Sequence, residues 1–243
     1  MRVPPDPSEV ASLARARDVV LGRIADACAR SGRSPGDVTL VAVSKTVPAE
    51  RLRAAVAAGL TALGENRVQE GEAKRDEVPG ASWHLVGPLQ SNKAKRALVA
   101  YDVIQSVESV GLAERLDRLA RDVRGAGPDA RYPVLLQVNV DDDPAKAGFR
   151  PADLPVALES IAACDALDVQ GLMTIGRLAD DAEAARPTFR ALRELAIGLR
   201  SAGSGLGPAL SMGMTDDFEV AVEEGATIVR VGRALFGQRV PHW

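Results

Sequence analysis

The sequence predicts an α/β protein, a single (β/α)8 barrel of the TIM type with one extra helix at its N-terminus. Three observations lead there. Short apolar runs of strand length alternate with amphipathic stretches of helical period from residue 38 to residue 237. Several runs, VLLQV above all, are apolar on both faces, the pattern of parallel strands covered by helices. About eight strand signals, nearly all followed by a helix, fall within 243 residues, the size of a closed barrel. An open, doubly wound sheet is the structural rival, and the strand count favours closure.

The elements follow in order. After a proline-rich leader, Ser8 can cap a helix whose Val10, Leu13, Val20, Leu21 and Ile24 recur near helical spacing, ending at Ser31 and Gly32. The strand VTLVAVS precedes a helix that begins near Pro48 and stops at Gly59. A short strand at Thr61 to Leu63, a polar helix from Arg67 to Glu77 and a strand in SWHLVG come next. Then follow a helix from Asn92 to Ala100, the strand YDVIQSV and an amphipathic helix from Val110 to Val123. RYPVLLQVNV is the longest apolar strand signal; PADLPVALESIAAC reads as helix, VQGLMTI as strand and Asp180 to Arg200 as a long helix. PALSMG, the helix DDFEVAVEEG, the strand ATIVRVG and a helical turn at RALFG complete the series. With 46% hydrophobic residues and no long Gly/Ser linker, we expect one domain over 1–243: leader and added helix at 1–37, barrel at 38–237, tail at 238–243.

A net charge of −3 gives no electrostatic reason to expect nucleic acid or an anionic membrane as partner. The two cysteines, Cys28 and Cys164, belong to no CxxC or Cys/His cluster and suit buried thiols in a reducing compartment better than a disulfide or metal site. MRVPPDPSEV lacks the apolar region of a signal peptide, and no run approaches a membrane span. The expectation is a soluble, cytoplasmic protein; without heptads or an apolar strip, it is also a monomer.

In a barrel, chemistry gathers at the C-terminal ends of the strands. Lys45 stands there on the first strand, Glu65 and Asn66 on the second, His84 and Gly87 on the third, and Asn139 on the fifth. Met173 and Thr174 close the sixth, Ser211 follows the seventh, and Gly232 ends the eighth. In VRVGRALFG, the backbone N–H groups of Gly232, Arg233 and Ala234 can face a phosphate, with Ser211 and Gly213 of LSMGMTDD beside them. A lysine opposite a phosphate pocket suggests a phosphorylated carbonyl compound held as a Schiff base, in either an aldolase-like enzyme or a pyridoxal phosphate protein. Arg230, two residues before Gly232, could reach a pyridine nitrogen and favours the second. His84 reads as a structural histidine, Glu65 as structural, and NKAKR as a solvated helix face. His242 belongs to the tail, and Lys146 stays open between ligand contact and surface.

The blocks AVSKT, GENRVQE, HLVGPLQSNK, QVN with KAGF, GLMTIG and LSMGMTDDFEVAVEEGATIVRVGRALFG, in this order over residues 38 to 237, resemble the pyridoxal phosphate homeostasis proteins. Those proteins look like the barrel domain of alanine racemase standing alone. The resemblance implies that Lys45 carries the cofactor as a Schiff base and that Asn66 lines the linkage. It places Ser211 and Gly232 on the phosphate and Arg230 at the pyridine nitrogen. Arg233 stands where relatives often have Thr or Ser, so its backbone N–H fits the phosphate and its long side chain departs from the pattern. An unprotonated pyridine is a weak electron sink, suited to a racemase or a carrier. Racemisation needs a second base, which alanine racemase takes as a tyrosine contributed with a further domain. Here the chain ends at Trp243, and Tyr101 and Tyr132 begin the fourth and fifth strands, at the wrong end of the barrel. The expectation is a carrier that holds pyridoxal phosphate for apoenzymes, not an enzyme; the alternative is a weak amino-acid racemase.

Overall fold

The structure is a computed structural model that describes residues 4–124, 130–176 and 181–237. The strands are β1 (Thr39–Val43), β2 (Ala62–Glu65), β3 (Ser82–Leu85), β4 (Val103–Val107), β5 (Tyr132–Gln137), β6 (Leu167–Met173), β7 (Ala209–Ser211) and β8 (Ile228–Val231). They pair in parallel in sequence order, and β8 returns to β1 with Arg230 opposite Val41, closing the barrel. The helices are α1 (Pro7–Ser31), α2 (Ala49–Ala57), α3 (Val68–Lys74), α4 (Ala94–Ala100), α5 (Val110–Arg124), α6 (Leu154–Ile161), α7 (Arg186–Ser201), α8 (Phe218–Glu223) and α9 (Arg233–Phe236).

Alternation along each strand divides the side chains into two cores. Leu63, Leu85, Ile104, Val134, Leu136, Leu172 and Leu210 belong to the large apolar cluster shared with the helices. Between them, Val41, Val43 and Val86 crowd around Gly64, where an added Cβ would come within 2.9 Å of Val41.

The added helix α1 has a definite place in the outer ring. Among the described residues only the four-residue α9 follows β8, and α1 packs against α8, α9 and α2, covering that seam of the outer ring. Leu13, Val20, Ile24, Ala27 and Cys28 are buried there. Burying each large apolar side chain is worth roughly 1.5–3 kcal/mol. Half-exposed ion pairs such as Arg23 with Glu219 (2.7 Å) and Arg30 with Glu223 (2.6 Å) contribute about 1 kcal/mol or less. Apolar burial therefore fixes the helix, with the pairs a minor addition.

Several boundaries differ from the sequence expectation. Asp6, not Ser8, caps α1: its side chain accepts the Ser8 N–H at 2.9 Å, and Pro7, which lacks an N–H, opens the helix. The helix expected over Arg67–Glu77 is α only to Lys74 and then tightens into a 3-10 turn; another 3-10 turn, Ser91–Lys93, leads into α4. Helix α6 is shorter than the run that suggested it, since Pro155 stands in its first turn and its end follows Ile161. The expected start of α7 at residue 180, the tail 238–243 and His242 lie outside the described residues. Among the described residues, no helix is long and apolar enough to cross a membrane.

Candidate functional site

Lys45 is not the last residue of a strand. β1 ends at Val43, and Lys45 sits half-buried in a tight turn in which the Val47 N–H donates to the Ser44 carbonyl at 3.0 Å. Thr46, the next residue, has φ of 70°, a conformation that a β-branched side chain rarely adopts. The turn is held from outside the barrel. Ser44 Oγ donates to Glu65 Oε1 at 2.8 Å, and Lys74 Nζ reaches both that oxygen (2.7 Å) and the Ser44 carbonyl (3.2 Å). Glu65 is fully buried, and that burial pushes its carboxyl up to about 7 against the opposing pull of Lys74 and Ser44.

Inside the barrel a second polar group forms one continuous chain. Arg230, 5% exposed, donates from Nη1 to Ser211 Oγ (2.6 Å) and from Nη2 to the Thr174 carbonyl (2.7 Å). Ser211 Oγ donates in turn to Gln105 Oε1 at 2.6 Å, and Gln105 Nε2 lies 2.9 Å from His84 Nδ1. The amide donates at that contact, so His84 accepts on Nδ1 and carries its proton on Nε2. Burial keeps this imidazole neutral, with its pKa lowered to about 4. Burial also lowers Arg230 to about 10, partly offset by the nearby Asp217 carboxylate, so the guanidinium is still charged at neutral pH.

The third component is a backbone cradle after β7 and β8. Gly213 has φ of 92°, and a Cβ there would meet Ala221 Cβ at 2.5 Å; its carbonyl accepts the Arg230 N–H at 3.0 Å. Gly232 lies against β1, where a Cβ would come within 3.2 Å of the Val43 carbonyl. The Leu235 and Phe236 N–H groups fold back onto the Gly232 carbonyl, while the Arg233 and Ala234 N–H groups, first in the turn, precede any intrahelical bond. Thr215 Oγ1 stands 3.4 Å from the Gly232 N–H, a hydroxyl that sequence reasoning missed because TDD reads only as a helix start. The Arg233 side chain leaves the cradle and pairs with the exposed Asp216 carboxylate, so only its backbone faces inward.

The remaining candidates separate into near and far. Asn66 follows β2 and is half-buried; its backbone packs so tightly on Gly87 that no Cβ fits there. Asn66 and Thr46 also line a groove of about 930 Å³ with Arg67, Lys74, Pro88 and Lys93, on the α3 side of the mouth and away from the cradle. Asn139 is spent on its own loop, donating to the Asp143 and Lys146 carbonyls. Lys146 bridges that loop to the Ile175 and Gly176 carbonyls at 3.2 and 3.3 Å. Both tyrosines are buried and engaged: Tyr101 donates to the Arg67 carbonyl at 2.7 Å and accepts from the Gly71 N–H at 3.1 Å. Tyr132 donates to the Tyr101 carbonyl at 2.7 Å. Among the described residues no His, Cys, Asp and Glu side chains cluster to hold a metal.

Comparisons with known proteins extend this geometry. The alanine racemase N-terminal domain family matches residues 23–240. A pyridoxal phosphate homeostasis protein of Pseudomonas aeruginosa is 42% identical over 222 residues, covering 90% of this chain and 93% of that one. Its counterpart in Escherichia coli K12 is 38% identical over 236 residues, covering 94% and 95%. Among solved structures, PipY of Synechococcus elongatus with PLP bound superposes with a TM-score of 0.76 at 43% identity, covering 88% of this chain and 100% of that one. Alanine racemase of Clostridium difficile superposes with a TM-score of 0.71 at 15% identity, covering 94% of this chain and 56% of that one, a likeness of fold alone.

Proposed function

Because the chain belongs to the alanine racemase N-terminal domain family and, within it, to the pyridoxal phosphate homeostasis proteins, we propose that it binds pyridoxal phosphate and serves intracellular homeostasis of that cofactor. The observation that carries this reading is the convergence on one barrel mouth of a lysine turn, a buried arginine and a backbone cradle. The donor set fits the group. Gly213 and Gly232 leave the space that a Cβ would take, and the N–H groups at the start of α9 suit a phosphate. Bound pyridoxal phosphate supplies an aldehyde that condenses reversibly with an amine, and a conjugated ring.

Lys45 would hold the aldehyde carbon as a Schiff base, and Asn66 would line that end. Gly232 and Arg233 would hold the phosphate through their N–H groups, with the Thr215 hydroxyl beside them. Arg230 would face the ring nitrogen as a hydrogen-bond donor and keep a proton off it. Ser211 supports Arg230, and contact with a phosphate oxygen would require its hydroxyl proton to leave Gln105. A holding role suits this set better than turnover, because both tyrosine hydroxyls are committed to backbone groups. Reduced, buried Cys28 and Cys164 support a cytoplasmic setting. We read the barrel with α1 as one domain, acting as a monomer and passing the cofactor to apoenzymes.

An absorption titration with pyridoxal phosphate tests the binding claim. The wild type is expected to develop a saturable visible band that Lys45→Ala lacks; identical titrations would contradict it. Delivery is tested by reactivation of an apoenzyme: loaded protein must restore activity in conditions where an equal concentration of free cofactor is scavenged by added amines. Steady-state alanine racemisation abolished by Lys45→Ala would contradict a pure holding role.

A further inference from the structure

We propose that Lys74 and Glu65 are positioning residues for Lys45, acting from the outer layer through Ser44; the inference rests on the reading of Lys45 as the cofactor anchor. Ser44 is pinned at its hydroxyl and its carbonyl, beyond the barrel hydrogen bond from its N–H to the Gly64 carbonyl at 2.8 Å. Its hydroxyl donates to Glu65, and its carbonyl accepts from Lys74 Nζ at 3.2 Å and from the Val47 N–H at 3.0 Å. Lys45 is the next residue, and the strained Thr46 follows it. A turn containing such a residue persists only where its surroundings over-determine it.

The base of the clamp is itself fixed. Tyr101 bonds to the Arg67 carbonyl and the Gly71 N–H at the start of α3, and Glu70 Oε2 accepts the Asn66 and Arg67 N–H groups at 3.3 and 3.2 Å. The charged and titratable groups around Glu65 are thus Lys74 and Glu70 of α3 and Tyr101 from the loop before β4. Stability alone does not explain the pair. Glu65 is fully buried and Lys74 12% exposed, yet Glu65 Oε2 has no hydrogen-bond partner. Well-packed apolar residues often stabilise as much as such a pair or more, and in some proteins buried polar pairs are kept for the conformation they specify. Geometry is what a covalent anchor needs, since a displacement of about 1 Å can cost two orders of magnitude in reactivity.

The test uses the double variant Glu65→Leu/Lys74→Met, which removes both charges together, beside Glu65→Gln and Lys74→Arg. In a folded double variant, affinity for pyridoxal phosphate should fall about tenfold or more, and borohydride-fixed label should spread from Lys45 to other lysines. Lys74→Arg, which keeps the charge, should retain most of the affinity and of the selectivity for Lys45. The wild-type pH profile of loading should show a step near neutrality that Glu65→Gln lacks. A folded double variant with wild-type affinity, selectivity and pH profile overturns the proposal; if it does not fold, Glu65→Gln decides by the same readouts, and a wild-type result there overturns it. If the wild type itself never labels at Lys45, the functional reading fails instead. The clamp is then judged by reductive methylation of Lys45 in cofactor-free protein, where an unchanged rate in the variants rejects it.

Discussion

The two polar clusters behind the mouth, one inside the barrel and one between β2 and α3, are built on opposite electrostatic terms. The inner chain runs from one cation through a hydroxyl and an amide to a neutral imidazole, every link a donor aimed in one direction. The outer cluster is an ion pair whose carboxylate titrates near neutrality and lacks a partner for one oxygen. With His84 shifted to about 4 and Arg230 to about 10, the inner chain keeps its protonation through the physiological range. The groups that would face the cofactor ring are electrostatically constant, and the support of the lysine turn is the part that responds to pH.

Breaking the inner chain at its charged end should have the largest effect. Arg230→Met removes a charge-assisted donor, and affinity for pyridoxal phosphate should drop about a hundredfold. Stability should suffer less, because the desolvation that lowers the Arg230 pKa disappears with the charge. Titration and thermal melting on the same samples read both quantities, and unchanged affinity would contradict the placement of the ring.

The next effect is in pH. His84 has a pKa of about 4 in the folded protein against 6.5 for an ordinary imidazole, so the unfolded chain binds more protons between those limits. The His84 contribution to stability is therefore lost as pH falls below 6.5, by about 2 kcal/mol at pH 5, and the stability difference between the wild type and His84→Gln in thermal melts should shift by that amount. Glu65 has the opposite sign: its folded pKa is raised from 4.5 to about 7, so its contribution declines as pH rises through that window. The two contributions oppose each other over most of that window, so Glu65→Gln should remove the decline and expose the His84 acid slope. Two variants with the same altered profile would show that the clusters are not independent.

Smallest is the effect of Arg233→Ala. Its side chain pairs with Asp216 on an exposed surface, so stability should change by less than about 0.5 kcal/mol. The Arg233 N–H remains, so cofactor affinity should not move; a loss comparable to that of Arg230→Met would return the side chain to the phosphate.

The sequence exposes the barrel more fully than it exposes the site. Tyr132–Gln137 and the other apolar runs declare strands because both of their faces are covered, and strand ends then locate Lys45, Asn66, Ser211 and Gly232. The inner chain is invisible along the sequence, since Gln105 and Ser211 stand 106 residues apart and meet only when the barrel closes. Lys74 reads as one more charge on a polar helix until the short α3 lays it over Glu65. Asp6 and Ser8 are both good caps two residues apart, and only Pro7 in the first helical position decides between them. The place of α1 depends on its packing against α8, α9 and α2, which spacing alone does not weigh.

The most direct test of the central claim is to load the protein with pyridoxal phosphate, reduce it with borohydride and map the modified peptide. The label is expected on the peptide that carries Lys45, at one equivalent per chain. A label shared among Lys93, Lys95 and Lys146, with Lys45 unmodified, would contradict the account.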